Sequence, residues 1–391
     1  MVTQYQLQFL VMITINNPVL STWIIGLVLL CLLAYSAQPK KPGSLFSLAV
    51  TKELKGLAIL MIVFSHMGYF LSNNPRFLWP LSIFAGVGVN IFLFLSAYGL
   101  SLSNTKNQLD IWQWYKKRLP KLYISLWIVL VIFFFMDYLI LGRSYSFQYI
   151  WHSMIGFFPR ADVYKDLDSV LWYFTLLVFY YLFFPLFFIR RHLWITSILL
   201  LICGKLFISW NSIASPDLLK LYSIHYVAFP LGVLAAWTFS TTTASKLKKK
   251  FSMYIHNSTL KYSTNPIGGI LTHASYYLLL ITLMIMIGYL SIHSGVGQSP
   301  HREQFISLCT MALIILVFII KKVEFRLLTL FGLFSYAIYL LHWPLLSRYE
   351  ILYSHMPAWL ATFIWLGIFI MLGWLLNFVS RYFEQNRSSK S

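Results

Sequence analysis

The sequence predicts an all-α polytopic membrane protein, and three observations lead to that prediction. Of its 391 residues, 59% are hydrophobic, 18% are aromatic and only 10% are charged, which is too apolar for a surface in contact with water. The apolar residues recur in windows of about 20 residues, the length that crosses a bilayer. Short polar or basic joints separate these windows, and the Lys and Arg residues collect in alternate joints. We therefore expect eleven transmembrane helices, at 19–36, 54–71, 78–101, 122–142, 170–189, 193–210, 219–238, 275–293, 305–320, 327–347 and 358–379.

The basic residues predict the orientation of these helices. The formal net charge is +19. If the joint at 37–53 is cytoplasmic, about 22 Lys and Arg residues lie on the cytoplasmic side and about 7 on the other. Charge distributed in this way indicates topology rather than nucleic-acid binding, with attraction to anionic membrane lipid as a side effect. We expect a multi-pass protein of the cell membrane with an extracytoplasmic N-terminus and a cytoplasmic C-terminus.

The spans predict three parts. Residues 1–50 form an N-terminal transmembrane anchor and a basic joint. The anchor is expected to be retained, because no basic leader precedes it and no small-residue cleavage site follows it. Residues 51–382 form a ten-helix membrane domain with a basic cytoplasmic loop near 240–274, and 383–391 form a short cytoplasmic tail. The three cysteines lie in separate spans without ligand-like spacing, so we expect packing roles for them and no metal site.

The second predicted helix contains two ionisable residues on one face. In the stretch KGLAILMIVFSH, Lys55 lies at the cytoplasmic edge and His66 lies eleven residues deeper. Eleven residues make three turns plus about 20°, so both side chains leave the same face, about 16 Å apart along the axis. Ionisable residues inside a membrane are costly and are commonly functional. The alternative is a lysine that reaches the headgroups and a histidine bonded to a neighbouring helix.

A late helix contains a second buried histidine. In GLFSYAIYLLHWP, the side chains of Ser335, Tyr339 and His342 fall at i, i+4 and i+7 on one face. His342 is about fifteen residues from the inner end of its span and His66 about twelve, so the two imidazoles are expected at similar depth. They could line one polar cavity.

Three further features involve ionisable residues. Arg118 and Lys121 are one turn apart at the predicted start of the 122–142 helix, which suits a clamp for a phosphorylated ligand. Topogenic charge alone is an equal alternative. Asp137 reaches the depth of the histidines and could orient one of them or cap the outer mouth. His225 lies near an outer helix end and receives no role.

Five blocks of the sequence resemble one family. In order, they are ELKGLAILMIVFSH, GVGVNIFLFLSAYGL, YKKRLPKLY, LWYFTLLVFYYLFFP and FGLFSYAIYLLHWPLL. In this order and spacing they are similar to the acyltransferase-3 family of integral-membrane acyltransferases, over roughly residues 50–382. The resemblance implies a ten-helix acyltransferase-3-like core plus one extra N-terminal transmembrane helix. It also implies a stand-alone enzyme, because no extracytoplasmic transferase domain follows the core.

The resemblance also implies positions for the site. By position, the family's motif residues correspond to Lys55, His66, Arg118, Lys121, Gly332, Ser335, Tyr336 and His342. Lysine replaces the usual arginine at 55, and the second member of the basic pair at 121 is lysine too. Both changes reduce a bidentate phosphate contact to a point charge. Asn90 lies where many members have an acidic residue, and a serine-alanine pair at 96–97 replaces serine-glycine.

The activity implied is O-acyl transfer from cytoplasmic acyl-CoA, commonly acetyl-CoA, to a hydroxyl of a cell-surface polysaccharide or lipid-linked glycan. We expect His66 to act as general base. His342, with Tyr339 or Ser335, would orient the partner or stabilise the oxyanion. A covalent acyl-residue relay is an alternative mechanism. The residues expected to hold the donor phosphates are Lys55, Arg118 and Lys121.

Two other classes of function are compatible with buried histidines. A proton-coupled transporter of glycan or lipid would show repeated halves with paired broken helices, and the sequence shows no such internal symmetry. A non-catalytic sensor or scaffold would keep the fold without the chemistry, and the lysine at position 55 would be consistent with it.

Overall fold

The computed structural model describes residues 13–40, 46–106, 110–159, 167, 169–210, 213–240, 266–294 and 299–388. These residues are mainly helical. The helices are α1 (Pro18–Ser36), α2 (Leu48–Ser65), α3 (Ala85–Lys106), α4 (Ile111–Leu141), α5 (Phe147–Ile155), α6 (Trp172–Phe187), α7 (Leu193–Trp210), α8 (Pro216–His225), α9 (Ala228–Ser240), α10 (Pro266–Ile292), α11 (Pro300–Ile320), α12 (Arg326–Arg348) and α13 (Ala358–Ser388). One π-helical segment, His66–Leu71, continues α2, and short 3₁₀ turns occupy Leu81–Ile83 and Ser169–Leu171.

The predicted fold class is confirmed. Within the described ranges, eleven helical segments are long and apolar enough to cross a membrane, and each of the eleven predicted spans overlaps one of them. Helices α8 and α9 together make one such segment, and α2 makes another with its π-helical extension. The most buried segments are those of α2, α3, α6 and α12, whereas α1 and α10 expose most of their surface, as helices in contact with lipid do.

Helix α4 begins eleven residues earlier than the sequence predicted. Helix α4 starts at Ile111 rather than at 122, because Asp110 caps it and its carboxylate accepts a hydrogen bond from the Gln113 backbone N–H at 3.0 Å. Pro120 lies inside the helix rather than at its first turn. Arg118 and Lys121 therefore lie within α4, beyond its first turn, and not at its start.

A two-stranded sheet joins two inter-helix connections. Strand β1 (Ala37–Pro39) follows α1 and pairs antiparallel with β2 (Val323–Phe325), which precedes α12. Beside it, the buried Glu53 carboxylate accepts hydrogen bonds from Lys321 Nζ at 2.7 and 2.9 Å. A buried ion pair of this kind fixes geometry, because separating its partners leaves an unpaired charge.

Parts of the predicted domain plan lie outside the described residues. They include most of the predicted basic loop at 240–274, the first twelve residues of the N-terminal part and the last three of the tail. Helix α13 extends through 383–388, into the predicted tail.

Candidate functional site

Two glycines place the central helices α2 and α12 in backbone contact. A Cβ added at Gly56 would lie 1.8 Å from the Leu328 carbonyl oxygen, and one added at Gly332 would lie 1.9 Å from the Lys52 carbonyl oxygen. Such distances allow no side chain, so the two helices touch where both residues are glycine. His66 and His342 each follow their glycine by ten residues, or about 15 Å of helix. The contact therefore brings the two histidines to the same level.

The two imidazoles form a hydrogen-bonded pair. His66 Nδ1 lies 3.2 Å from His342 Nε2 and 2.8 Å from the carbonyl oxygen of Ile62. His342 Nδ1 lies 2.8 Å from the carbonyl oxygen of Tyr339 and 3.1 Å from that of Ile338. Carbonyl oxygens only accept, so both Nδ1 atoms carry the proton. The single Nδ1–H of His66 is then shared between the Ile62 carbonyl oxygen and His342 Nε2, which both accept, and the lone pair of His66 Nε2 is left available as a base.

The ring of His66 is held at a change of helical form. It begins the π-helical segment that follows α2, and such segments are frequent at functional sites. Phe70 stacks on the ring at a centroid distance of 5.3 Å, and Trp343 packs against it at 5.0 Å. His342 is fully buried, whereas His66 is partly exposed. His66 is therefore the member of the pair that can meet a substrate.

His66 lines a cavity of about 230 Å³. Its aromatic and imidazole lining includes His66, Tyr69, Trp172, Tyr173, His225 and Tyr339. Asp217, Lys220 and Glu303 also line it, from the first two turns of α8 and the first turn of α11, at the predicted outer edge of the bundle. The cavity combines aromatic faces with charged hydrogen-bonding groups, which suits a polar ligand with several hydroxyls.

His225, which the sequence left without a role, lies on the wall of this cavity. Ser307 donates to the Gln304 carbonyl oxygen at 3.0 Å, so it accepts from Asn90 Nδ2 at 3.0 Å. This fixes the orientation of the amide, and Asn90 Oδ1 accepts from His225 Nδ1–H at 2.8 Å. His225 Nε2 therefore also has its lone pair available. Trp172 stacks on the ring at 5.3 Å.

The other residues of the late block lie beside the histidine pair. The Tyr339 hydroxyl lines the cavity and donates to the Val170 carbonyl oxygen at 2.5 Å. The buried Ser335 hydroxyl donates within its own helix, to the Gly332 carbonyl oxygen at 3.1 Å. Tyr339 therefore lies on the cavity wall with His66, whereas the Ser335 hydroxyl bonds to a backbone carbonyl one turn earlier in its own helix.

The three basic residues expected to bind the donor lie at one end of the bundle. Lys55 adjoins the Gly56 contact, and Tyr336 of α12 donates to the Leu122 carbonyl oxygen at 2.8 Å, which brings α4 to that end as well. Lys121 is exposed, and Arg118 is half-buried and contacts Ser103 Oγ at 3.3 Å. In the described part of the chain, no hydrogen bond or ion pair joins the three basic residues to each other.

Asp137 belongs to a different cluster. Its buried carboxylate accepts from Arg348 and Tyr145, and from the Tyr349 hydroxyl at 2.6 Å. Burial and the bond to Asp137 raise the pKa of Tyr349, so its hydroxyl keeps its proton and donates it. Of the two alternatives for Asp137, the structure favours the cap at the predicted outer edge, because it contacts no histidine in the described residues. In the same ranges, no three His, Cys, Asp or Glu side chains are grouped to hold a metal ion.

Comparison with known families agrees with the motif order. The family model described as an acyltransferase domain, that of the acyltransferase-3 family, matches residues 54–378. The match includes the helices that carry both histidines and leaves α1 outside. Comparisons with curated proteins and with solved structures each gave no match. The chain is a membrane acyltransferase and belongs to the acyltransferase-3 family.

Proposed function

We propose that this acyltransferase moves an acetyl group from cytoplasmic acetyl-CoA to a hydroxyl of a cell-surface or lipid-linked glycan. One feature of the geometry supports this most strongly: His66 lines the cavity, and its Nδ1 lies against the Ile62 carbonyl oxygen and His342 Nε2, which leaves Nε2 as the nitrogen that can accept a proton. Imidazole is the side chain that most readily exchanges protons near neutral pH. A base held in this way suits proton removal from a hydroxyl nucleophile.

In this mechanism one proton passes from the acceptor to the donor. His66 Nε2 takes the proton of the hydroxyl while that oxygen attacks the thioester carbonyl. The tetrahedral intermediate then collapses, the C–S bond breaks, and the departing thiolate takes the proton back from His66. His342 stabilises the charge that forms on His66, because its Nε2 accepts the Nδ1 hydrogen bond throughout. The Tyr339 hydroxyl gives its one proton to the Val170 carbonyl oxygen, so Tyr339 would bind the acceptor from the cavity wall by accepting a hydrogen bond from a sugar hydroxyl.

The donor would enter from the edge that carries Lys55, Arg118 and Lys121. These cations attract its phosphates, as point charges in the case of the two lysines. Lys55 and His66 are separated by about 16 Å along the helix axis. The extended pantetheine arm would cross this distance and bring the thioester to the cavity. This proposal requires a cytoplasmic C-terminus and an extracytoplasmic N-terminus, the orientation that the distribution of basic residues predicts.

The acceptor would enter from the opposite edge. The charged residues of α8 and α11 line the cavity there, and its aromatic faces and His225 offer packing and a hydrogen-bond acceptor. A sugar presents the matching hydroxyls. The asymmetry of the site, with cations at one edge and mixed polar groups at the other, supports transfer from a phosphorylated donor to a neutral or weakly charged acceptor.

Mass spectrometry of surface and lipid-linked glycans tests the proposal. Cells that carry the gene should show an acyl mass that cells lacking it do not, and the mass shift identifies the group. Restoring His66→Gln in place of the wild type should leave that mass absent while the protein still reaches the membrane. Identical glycans with and without the gene would contradict the proposed function.

A further inference from the structure

A long apolar groove separates α1 from the core. It has a volume of about 1030 Å³, and apart from Thr22 and Arg76 its walls are apolar. One wall is α1 from Val19 to Leu33, and the facing wall includes Leu60 and Phe64 of α2 and Phe318 of α11. Because the family match begins at residue 54, α1 is an addition to the family domain.

The groove is longer than one leaflet. Val19 and Leu33 are fourteen residues apart, which is about 21 Å of helix. The hydrocarbon core is about 30 Å thick, so a lipid chain confined to one leaflet ends after about 15 Å. A phospholipid chain confined to one leaflet would end before the groove does, so the groove suits a longer chain that continues past the midplane.

One end of the groove opens into a second cavity, whose lining combines apolar residues with Asn17, Asn74 and Arg76. This second cavity, of about 600 Å³, shares Val19, Trp23 and Arg76 with the groove and is also lined by Asn17 and Asn74. The Arg76 side chain is exposed at the junction. A guanidinium beside amide groups binds phosphate by bidentate hydrogen bonds. An apolar groove that ends at such a group matches an amphiphile with a phosphate head.

Hydrogen bonds hold the loop that carries Arg76 against α1. Thr22 Oγ1 accepts from the Leu78 backbone N–H at 2.8 Å, and Asn74 Oδ1 accepts from the Arg76 backbone N–H at 3.0 Å. Arg76 is thus held at the end of α1 by its own loop.

Neighbouring residues of one short segment line both the groove and the catalytic cavity. Leu81 and Phe84 line the groove, whereas Ser82 and Ile83, from the same short segment, line the cavity that contains His66. This segment therefore lies between the two spaces, and a group attached to a phosphate at Arg76 would pass around it to reach the cavity.

We propose that the groove binds the chain of a polyisoprenyl phosphate and that Arg76 binds its phosphate, so that the attached sugar reaches the cavity of His66. This rests on the proposed function and narrows its acceptor to a glycan carried on a polyisoprenyl phosphate. Helix α1 then determines the acceptor, because it supplies one wall of the groove.

A binding experiment on the purified full chain tests the site without acyl transfer. Native mass spectrometry in detergent compares three probes: a long-chain polyisoprenyl phosphate, the uncharged polyisoprenol and dioleoyl phosphatidic acid. We expect the polyisoprenyl phosphate to bind at least ~10-fold more tightly than either of the other probes, a difference of about 1.4 kcal/mol. Equal binding of phosphatidic acid would overturn the proposal, because the groove would then hold ordinary phospholipid.

Two variants locate the binding. Gly26 lines the groove and has no atom within 4 Å of its Cβ position, so Gly26→Trp adds a bulky side chain to the groove from an open backbone position. Gly367→Trp is the matched control, since Gly367 is equally open but lies on α13 away from the groove. We expect Gly26→Trp and Arg76→Gln each to weaken polyisoprenyl phosphate binding ~10-fold or more, with no change for Gly367→Trp. Unchanged binding in Gly26→Trp would overturn the assignment.

The outcome separates this proposal from the proposed function. If the lipid binds as expected but cells with and without the gene carry identical glycans, the groove assignment stands and the transfer reaction is wrong. If the glycans differ but Gly26→Trp binds the lipid like the wild type, the groove assignment alone is wrong.

Discussion

The register of the histidine pair depends on Gly332, and replacing it with alanine tests that dependence. The added Cβ would lie 1.9 Å from the Lys52 carbonyl oxygen, and Cβ contacts under 3.0 Å essentially do not occur. The helices must therefore separate by about 1.1 Å at the contact. Carried along rigid helices, this widens the 3.2 Å contact between His66 and His342 to roughly 4.3 Å, beyond hydrogen-bond length.

Two measurements follow from this displacement. Overpacking costs about 1–3 kcal/mol, against a gain of about 0.5–1 kcal/mol from replacing a helical glycine. We therefore expect Gly332→Ala to lower the thermal unfolding temperature by a few degrees in detergent. Misplacement of a catalytic group by about 1 Å can cost about 100-fold in rate, so the acyl mass on glycans should fall accordingly.

The matched control is Gly99→Ala in α3. No atom lies within 4 Å of its Cβ position, so the substitution should leave activity unchanged and stability equal or slightly higher. A Gly332→Ala protein with the stability and activity of the wild type would show that α2 and α12 are not in backbone contact.

Three further substitutions test other parts of the site. Asn90→Leu removes the amide that orients the imidazole of His225 in the cavity. It should lower the rate of acyl transfer about tenfold, with wild-type levels of protein in the membrane. Full activity would mean that His225 has no part in the reaction. Arg348→Met leaves the Asp137 carboxylate buried without its cationic partner and should destabilise the protein by about 3–5 kcal/mol. Adding Asp137→Leu should restore part of the lost stability, measured by thermal unfolding. No recovery would mean that the two residues act independently. Lys121→Ala and Arg118→Ala should each weaken acetyl-CoA binding to the purified protein at low salt, with a smaller effect at high salt; unchanged affinity would leave both residues as topology signals.

The sequence predicted the architecture well because the bilayer imposes it. A span must be apolar over about 20 residues, and that pattern is visible in each of the eleven described helical segments that are long enough to cross the membrane. The start of α4 was placed too late because the predicted span covers only the apolar residues, whereas Asp110 caps the helix earlier. The strands β1 and β2 are three residues each and carry no periodicity that a sequence could display.

The site was partly predictable for a similar reason. Helical spacing placed Lys55 and His66 on one face, and counting from the span ends placed His342 at a similar depth. Contact between the imidazoles depends on how α2 and α12 pack against each other. Gly56 and Gly332 determine that packing, but the sequence does not show that these two helices are neighbours. His225 was missed because its partner Asn90 is 135 residues away in the chain.

The rate of acyl transfer catalysed by purified His66→Gln tests the central claim most directly. Radiolabelled acetyl-CoA would be the donor, and membranes from cells that lack the gene would supply the acceptor. Loss of a positioned general base costs about 100- to 10,000-fold in rate, so we predict a loss in that range with unchanged thermal unfolding and acetyl-CoA binding. Transfer by His66→Gln at the wild-type rate would contradict the assignment of His66 as the base.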